Sequence, residues 1–319
     1  MSLSRFTQVG FIGLGAMGKH MAEQLAKKLP DNARVSIFDV AKPPIEELVG
    51  KYPGKIVECT SPRNVAERSD FILSMVPEGS HVKSVYLDDK TGVTSIDLQD
   101  RVLIDCSTID IATSLLVKQH IAKHHPSASF YDAPVSGGTL GAEKGTIAFF
   151  LGCSENDTKL PLVRELLSLM GKQIIPCGKP SLGLAAKLCN NYLSGLIAIA
   201  SAESLSMGIK ADLDPRVLSR VFAAGTAQNT ICDRFNPCPG VVPDAPSSKG
   251  YEGGFKVQLM KKDFSLAVNM AESVGATLAL GQEGLKTYDA ASKDPKCYDR
   301  DSRVVFRYIG GDENWAEKF

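Results

Sequence analysis

The stretch that decides the fold is Val-Gly-Phe-Ile-Gly-Leu-Gly-Ala-Met-Gly at residues 9–18, an apolar run that meets three spaced glycines and leads into a helical pattern. A strand, a glycine-rich turn and a helix in this order are typical of a dinucleotide-binding site. Gly13 permits the tight turn, Gly15 lets the backbone approach a pyrophosphate, and Gly18 lets helix and strand pack closely. The helix start then offers unpaired N–H groups to phosphate, and the alternative is a glycine-rich turn that binds nothing. The predicted contact residues are Gly13, Gly15, Ala16, Met17 and Gly18.

Asp39 ends the second predicted strand, 21 residues after Gly18. An acid at this place accepts hydrogen bonds from the adenosine ribose hydroxyls of NAD and repels the 2′-phosphate of NADP. No arginine stands in the adjoining residues 40–44, where Lys42 is the nearby cation. Asp39 therefore predicts NAD as the cofactor. Capping of the helix that begins near Pro43 is an alternative and compatible use of this carboxylate.

The first part of the chain alternates β-rich runs with helical patterns. Strands are predicted at 9–13, 34–39, 71–76, 102–105, 130–135, 147–151 and 173–177. Helices are predicted between most of them, for example at 17–29 and 111–124. Continuous apolar strands that alternate with helices predict a mostly parallel sheet covered on both faces. The chain is therefore expected to be an α/β protein with an N-terminal Rossmann domain over residues 1–180.

Beyond Pro180 only helical patterns remain, at 182–208, 215–224, 255–274, 278–292 and 302–309. They predict an all-helical domain over residues 181–319 for substrate binding and oligomerisation. A long first helix is expected to join it to the sheet domain, because no Pro/Gly linker intervenes. One segment, 236–254, is too rich in proline and glycine for regular structure. Its composition leaves disorder and a functional role open, and we predict that it covers the substrate.

Charge and composition limit the classes of partner that the protein is expected to have. The 319 residues carry 36 basic and 36 acidic side chains, a balance that favours neither nucleic acid nor an anionic membrane. No uncharged apolar run reaches the roughly 20 residues of a membrane span, so a small molecule is the expected partner. The first strand is expected to begin by Thr7 or Gln8, which leaves residues 1–6 ahead of it, too few for a signal or transit peptide, unless a processed leader has been removed. The expected location is therefore cytoplasmic or the mitochondrial matrix. The eight cysteines form no Cys-x-x-Cys, and no metal site is predicted.

Lys187 stands in an otherwise apolar helical stretch, 182–202. With 3.6 residues per turn, Gly183, Lys187 and Asn191 fall one turn apart on one face. Burial of an ammonium without a partner is costly, and a desolvated lysine exchanges its proton nearer neutral pH. Lys187 is therefore a candidate for proton transfer. The alternative is a lysine that extends its ammonium to solvent at the edge of the helix.

Four segments, in this order and at this spacing, resemble the β-hydroxyacid dehydrogenase family. They are Gly-Phe-Ile-Gly-Leu-Gly-Ala-Met-Gly (10–18), Asp-Ala-Pro-Val-Ser-Gly-Gly (132–138), Gly-Leu-Ala-Ala-Lys-Leu-Cys-Asn-Asn (183–191) and Lys-Asp-Phe-Ser-Leu-Ala (262–267). Asn-Pro-Cys-Pro-Gly (236–240) and Tyr-Glu-Gly-Gly-Phe (251–255) are similar to the branch that acts on 3-hydroxyisobutyrate. The chain departs from the family at Phe264 and Ser265, where Leu and Gly are usual, and Lys261 adds a second cation beside Lys262.

The resemblance implies a Rossmann domain, a helical C-terminal domain, a homodimer or homotetramer, and catalysis by Lys187. It implies substrate binding by Ser136, Gly137, Gly138 and Asn191. Further cofactor contacts are implied for Val76, Pro77, His81, Thr108 and Lys262. The implied reaction is oxidation of 3-hydroxyisobutyrate, or a close 3-hydroxy acid, to methylmalonate semialdehyde, a step of valine breakdown.

The residues themselves are compatible with this chemistry. Oxidation of an alcohol needs a hydride acceptor, here NAD, and a group that takes the hydroxyl proton. All five histidines lie between positions 20 and 125, ahead of the predicted helical domain, so Lys187 is the better candidate for general acid/base. The 136–138 turn offers a hydroxyl and backbone N–H groups to a carboxylate, unless it is an ordinary strand-to-turn connection.

Two other functions compete with this prediction. One is a semialdehyde or glyoxylate reductase of the same family that works with NADPH, which Asp39 argues against. The other is a non-catalytic dinucleotide-binding module, which the presence of both Lys187 and Asn191 argues against. Residues 225–229 and the 236–254 segment are the predicted determinants of which acid fits.

Overall fold

The computed structural model describes residues 3–319 and divides the chain into two compact units, Met1–Lys187 and Leu188–Phe319. The dividing point falls inside one continuous helix, Leu182–Lys210, which begins in the first unit. The domain boundary predicted after residue 180 stays a prediction. The two units are described separately below.

A six-stranded sheet forms the centre of the first unit. Its strands are β1 (Gln8–Ile12), β2 (Arg34–Phe38), β3 (Ile56–Glu58), β4 (Phe71–Ser74), β5 (Val102–Asp105) and β6 (Ser129–Asp132). All neighbouring pairs are parallel, in the order β3-β2-β1-β4-β5-β6. The order reverses direction between β1 and β4, so ligand binding is expected beyond the carboxyl ends of these two strands. This confirms the predicted Rossmann architecture.

Strands β4 and β5 are buried along their whole length, so both faces of the sheet are covered there, and helices connect the strands. They are α1 (Gly18–Lys28), α2 (Lys42–Lys51), α3 (Pro62–Glu67), α4 (Gly79–Leu87), α5 (Ile111–His124), α6 (Gly138–Lys144) and α7 (Leu160–Leu167). One core cluster packs Phe11 of β1 against Met21 and Leu25 of α1, all fully buried. Burial of such side chains stabilises the unit by about 1.5–3 kcal/mol each.

A second sheet corrects the predicted strand 130–135. It contains β7 (Val135–Ser136), β8 (Ile147–Leu151) and β9 (Gly171–Pro176), with β7 antiparallel and β9 parallel to β8. The predicted single strand is two strands in two sheets, interrupted at Ala133 and Pro134. Pro134 has no N–H for a ladder, so the chain changes partner there. Ser136 therefore pairs with Ala148 in the second sheet and not with the main sheet.

The second unit is helical, which together with the parallel sheet confirms the predicted fold class. Its helices are the rest of α8 (Leu182–Lys210), then α9 (Pro215–Ala224), α10 (Thr230–Arg234), α11 (Val257–Ser273), α12 (Gly281–Lys293) and α13 (Val305–Tyr308), with 3₁₀ turns at Pro246–Lys249, Ser302–Val304 and Trp315–Glu317. Fully buried Phe264 of α11 packs against Tyr192 of α8 and Tyr288 of α12, with ring centroids 4.9 and 5.6 Å apart. Aromatic contacts therefore hold the first and last long helices of this unit to α11.

The proline-rich segment 236–254 is ordered, which corrects the alternative of disorder. The Tyr251 hydroxyl donates to Pro237 O at 2.9 Å, and the Trp315 indole N–H donates to Pro239 O at 2.8 Å. Asn236, fully buried, donates to Cys232 O and accepts from Cys238 N. Side chains and local backbone turns, for example Tyr251 N donating to Pro246 O at 2.7 Å, satisfy polar groups here in place of a strand ladder.

Other elements also differ from prediction, among them helix α10, which was not predicted. Strand β3 was not predicted, because three residues are too few for an alternation pattern. The predicted helix 302–309 is a 3₁₀ turn followed by the four residues of α13. By length and apolarity, α8 passes as a membrane span, with 44% of its most apolar window buried, a test that core helices of soluble proteins also pass.

Candidate active site

The glycine turn after β1 has the geometry that a pyrophosphate site needs. Gly13 adopts φ +92°, and a Cβ there would lie 2.2 Å from Met75 O. A Cβ on Gly18 would lie 2.0 Å from Gly13 O, so both positions exclude a side chain. Gly15 is exposed, and a Cβ on it would meet no atom within 4 Å. The turn therefore packs tightly against the protein on one side and stays open on the other.

A groove of about 400 Å³ lies on that open side. It is lined by Leu14, Gly15, Ala16, Lys19, His20, Pro43, Pro44, Glu47 and Thr139. Lys19 is ion-paired with Glu47 at 3.0 Å. Space beside Gly15, at the start of α1, fits the diphosphate of a dinucleotide.

Asp39 follows β2 and connects it to the glycine turn. Its Oδ2 accepts from Leu14 N at 2.5 Å, and its Oδ1 accepts from Ala41 N, just ahead of α2, at 2.7 Å. The carboxylate therefore orders both loops. Its bond to the backbone just ahead of α2, the expected capping use, is compatible with cofactor binding. Lys42 is paired with Glu58 at the end of β3. The nearby cation thus already has an anionic partner.

A chain of hydrogen bonds orders the carboxyl ends of β4 and β5. The buried Asp105 Oδ1 accepts from Ser74 Oγ at 2.8 Å and from Ser107 Oγ at 2.6 Å. Ser107 Oγ in turn accepts from Val76 N at 2.9 Å, and Ser74 Oγ bonds to the Tyr86 hydroxyl at 2.8 Å. The backbone at Val76, a predicted cofactor contact, is therefore held by Asp105 through one hydroxyl.

Burial raises the pKa of Asp105 to about 6, although the hydrogen bonds from Ser107 and Ser74 act in the opposite direction, and the charge of Asp132 adds to the rise. A carboxyl with a raised pKa holds its proton more tightly in the folded than in the unfolded chain. Its contribution to stability is therefore present below its ordinary pKa of about 4 and is lost as pH rises to about 6.

We expect Asp105→Asn to gain about 1 kcal/mol of stability relative to wild type between pH 5 and pH 7.5, because the amide carries no buried charge. Urea unfolding of both proteins at the two pH values measures this change. Asp97→Asn, at an exposed carboxylate, is the matched control and should show no such change. A difference between Asp105→Asn and wild type that is the same at both pH values would contradict the expectation.

The turn at 136–138 is open to solvent. Ser136 is half-buried at the end of β7, and Gly137 and Gly138 are exposed with φ of +137° and +64°. A Cβ on Gly138 would meet no atom within 4 Å, so its backbone is accessible. A hydroxyl and accessible backbone amides are donors that suit a carboxylate.

Lys187 is 7% exposed, so the alternative of a lysine extended to solvent does not hold. It lies in the second turn of α8. The first turn of this helix is bound to Asp132 at the end of β6, which accepts from Ser181 N at 2.6 Å and from Leu184 N at 3.0 Å. Lys187 is thus a buried lysine on a helix whose first turn is hydrogen-bonded to the end of a sheet strand.

Asn191, one turn after Lys187, belongs to a polar group in the second unit. Its Nδ2 donates to Asp263 Oδ2 at 2.6 Å, and Lys262 Nζ lies 3.2 Å from Asp263 Oδ1. Asn191 is 6% and Asp263 2% exposed. Lys261, the extra cation, lies 3.6 Å from Asp289 of α12. Asp263 therefore joins two of the predicted site residues, Asn191 and Lys262.

The predicted residues fall into two groups. Gly13, Asp39, Val76, Pro77 and Thr108 follow the carboxyl ends of β1, β2, β4 and β5, which one sheet brings to one edge. His81 is exposed in the first turn of α4. Asn191 and Lys262 lie in the second unit. The functional roles of all these residues stay predictions.

Sequence reasoning missed three carboxylates that organise these residues: Asp105, Asp132 and Asp263. Asp132 and Asp263 stand inside the segments used for the family resemblance, and Asp105 ends a predicted strand. For Asp105 and Asp132, the signal that indicates a structural or functional role is an acid at the end of an apolar strand, the same signal that identified Asp39. What each carboxylate binds depends on the tertiary fold.

Comparison with known families matches almost the whole chain. Residues 8–178 match the NAD binding domain of 6-phosphogluconate dehydrogenase. Residues 182–309 match the family described as NAD-binding of NADP-dependent 3-hydroxyisobutyrate dehydrogenase. Residues 8–178 therefore form an NAD-binding domain.

Individual relatives cover similar lengths. A probable mitochondrial 3-hydroxyisobutyrate dehydrogenase of Dictyostelium discoideum is 42% identical over 90% of this chain and 86% of its own. An NAD-dependent L-serine dehydrogenase of Pseudomonas aeruginosa is 34% identical over 93% and 96%. The solved structure of Mycobacterium tuberculosis 3-hydroxyisobutyrate dehydrogenase with L-serine aligns with a TM-score of 0.86 at 31% identity, covering 96% of this chain and 99% of that one.

Proposed function

This chain belongs to the β-hydroxyacid dehydrogenase family, and we propose that it oxidises 3-hydroxyisobutyrate, or a close 3-hydroxy acid, to methylmalonate semialdehyde with NAD. The family makes it an oxidoreductase with NAD as cofactor; the substrate and the preference for NAD over NADP are the proposal. The observation that carries it is Lys187, a buried lysine one turn before Asn191, in a chain whose residues 8–178 form an NAD-binding domain.

In the proposed reaction Lys187 takes the proton of the substrate hydroxyl and returns one in the reverse direction. A positioned general base contributes about 10²- to 10⁴-fold to the rate. Asn191 donates to the substrate and is itself oriented by Asp263. Ser136 and the amides of Gly137 and Gly138 bind the substrate carboxylate. NAD, when bound, supplies the hydride acceptor.

Cofactor binding is proposed for the glycine turn at 13–18, Asp39, and the strand ends at Val76, Pro77 and Thr108, with His81 and Lys262 as further contacts. The open side of Gly15 supports the diphosphate position, since nothing there hinders backbone approach. The choice of NAD over NADP is supported by Asp39 and by the pairing of Lys42 with Glu58, which leaves the adenosine end negative. A 2′-phosphate would be repelled there.

L-Serine is the second candidate substrate. It is also a 3-hydroxy acid, with an amino group where 3-hydroxyisobutyrate has a methyl group. Two observations favour it: a relative is named as an L-serine dehydrogenase, and the aligned solved structure includes L-serine. The proposed recognition of the carboxylate and hydroxyl is common to both acids, so the methyl-binding side chains decide between them.

The wider role follows from the main proposal. We propose a step of valine breakdown, a homodimer or homotetramer, and a cytoplasmic or mitochondrial-matrix location. Some relatives are named as mitochondrial and others are bacterial, which supports the mitochondrial matrix and the cytoplasm respectively. NADPH-dependent reduction of a semialdehyde or glyoxylate is the alternative within the family.

We expect NADH formation at 340 nm to be fastest with 3-hydroxyisobutyrate and NAD in a panel that crosses both enantiomers of this acid, L-serine and 3-hydroxypropionate with NAD and NADP. A specificity constant for NAD at least about 10²-fold above that for NADP is expected, because Asp39 rejects the 2′-phosphate. Preference for L-serine would assign the second candidate. Faster oxidation of NADPH by a semialdehyde or glyoxylate would refute the proposed direction, and no turnover at all would favour the non-catalytic module.

A further inference from the structure

We infer that Asp132 is a positioning residue that holds the helix of Lys187, and with it the lysine, at the edge of the sheet. The inference rests on the proposed role of Lys187. Asp132 is the last residue of β6 and is 3% exposed. Its two carboxylate oxygens accept the N–H groups of Ser181 and Leu184, at 2.6 and 3.0 Å. A carboxylate about 50 residues away in sequence thereby accepts hydrogen bonds from N–H groups at the start of α8, which have no acceptor within the helix.

Two glycines show how closely helix and sheet approach at this point. A Cβ on Gly183, in the first turn of α8, would lie 2.1 Å from Phe150 O and 2.8 Å from Asp132 Oδ2. A Cβ on Gly152, after β8, would lie 1.9 Å from Asp132 Oδ1. No side chain fits between the carboxylate and the two backbone segments. The first turn of α8 therefore has one position against the sheet.

Electrostatics also favour this contact. The positive end of the helix dipole and two N–H donors face this carboxylate. Burial raises the pKa of Asp132, although the hydrogen bonds from the N–H groups of Ser181 and Leu184 act in the opposite direction and favour the ionised form. Ser181, the residue just before the helix, adopts φ +66°, a conformation that costs of order 1 kcal/mol or more for a non-glycine residue. The hydrogen bond from its N–H to Asp132 offsets that cost.

Position is transmitted to Lys187 because a helix is stiff. Lys187 follows Leu184 by three residues, roughly 4.5 Å along the axis. In the other direction, Asp132 leads through Ala133 and Pro134 to Ser136, the proposed carboxylate-binding residue. One carboxylate thus connects the proposed substrate turn to the helix that carries the proposed base.

Stability alone is the competing role, and the experiment separates the two. Asp132→Asn keeps the size of the side chain, but its NH₂ group is a donor that faces one of the two N–H donors, so one hydrogen bond is lost. Measured at a temperature where circular dichroism shows the variant fully folded, kcat should fall about 10²-fold, the cost of roughly 1 Å of misplacement. NADH affinity, measured by fluorescence titration, should be unchanged, since the carboxylate of Asp132 bonds to Ser181 N and Leu184 N, whereas the diphosphate and ribose are proposed to bind at the glycine turn and Asp39. Amide hydrogen exchange in the peptide 178–190 should become faster.

A double-mutant cycle tests whether Asp132 acts through Lys187. In a Lys187→Ala background, Asp132→Asn should cause no further loss of kcat, because residues that act as a unit are not additive. Additive losses would overturn the inference. Near-normal turnover of Lys187→Ala alone would instead refute the proposed function, whereas unchanged exchange in peptide 178–190 of Asp132→Asn would overturn the positioning role whatever the enzyme does.

A second variant avoids dependence on one substitution. Gly183→Ala pushes the first turn of α8 away from Phe150 O and from Asp132 Oδ2 but keeps the carboxylate itself, and it should show the same loss of kcat with unchanged NADH affinity. Ser114→Ala is the control, because it removes the 3.4 Å contact to Ser181 Oγ and leaves both N–H bonds intact. Wild-type kcat in folded Asp132→Asn or Gly183→Ala, or parallel losses of kcat and NADH affinity, would overturn the inference.

Discussion

Replacement of Lys187 by methionine is expected to lower kcat by about 10²- to 10⁴-fold, the contribution of a positioned general acid/base. Methionine preserves the unbranched shape at a site that is 7% exposed, so packing along α8 should be retained. NADH affinity should not change, because the proposed dinucleotide contacts other than His81 and Lys262 all belong to the glycine turn and the strand ends. Steady-state kinetics with the best acid of the panel and fluorescence titration with NADH measure the two quantities.

Two further variants separate proton transfer from charge. Lys187→Arg keeps the positive charge, but arginine does not release its proton in a protein, so it should be as inactive as Lys187→Met. Lys210→Met changes the last residue of the same helix, which is exposed, and should retain wild-type kcat. Turnover of Lys187→Met within about threefold of wild type, well below the effect of a lost general base, would exclude Lys187 as the proton-transfer group.

Replacement of Asp39 by asparagine is expected to have the second largest effect, on the choice of cofactor. The variant loses charge-assisted hydrogen bonds to the ribose hydroxyls, each worth about 1.5–3 kcal/mol, so kcat/KM for NAD should fall about 10- to 100-fold. NADP should improve at the same time, because the carboxylate no longer repels its 2′-phosphate. The ratio of the two specificity constants reports both changes.

The pairing of Lys42 with Glu58 allows a second step in the same direction. In the Asp39→Asn background, Glu58→Gln releases Lys42 for a 2′-phosphate and should improve kcat/KM for NADP by about two- to fivefold, the scale of an exposed ion pair. Asp31→Asn, at a fully exposed carboxylate of the same unit, is the control and should leave the ratio unchanged. An unchanged ratio in Asp39→Asn itself would show that Asp39 orders the loops at Leu14 and Ala41 without selecting the cofactor.

Much of the first unit could be predicted because its signals are local. An apolar run followed by Gly13, Gly15 and Gly18 specifies a strand, a turn and a helix from backbone sterics alone, and the structure gives each glycine a distinct environment. Strand β5 and helix α5 occupy the predicted residues, as helix α9 does in the second unit. Prediction failed at the 130–135 strand, where a change of sheet partner, not a change of local preference, ends β6.

The burial of Lys187 could not be predicted from its helix. The same apolar stretch is compatible with an ammonium extended to solvent, and only the packed structure, with 7% exposure, excludes this. Likewise the order of segment 236–254 depends on Tyr251 and Trp315, which bond to carbonyl groups far from them in sequence. The prolines and glycines of this segment predict that it forms no regular strand or helix. They do not predict which side chains bond to its backbone.

The amino-acid sequence by itself determined the fold class, the glycine turn, the acid at Asp39 and the candidacy of Lys187, because each follows from chain-local sterics, periodicity or residue chemistry. Only the tertiary structure decided what Asp105, Asp132 and Asp263 do. Each of these buried carboxylates binds donors that the fold brings to it, from Ser74 for Asp105, from Ser181 for Asp132 and from Asn191 for Asp263. A buried acid must be satisfied by hydrogen bonds, but its partners are set by three-dimensional packing and not by distance along the chain.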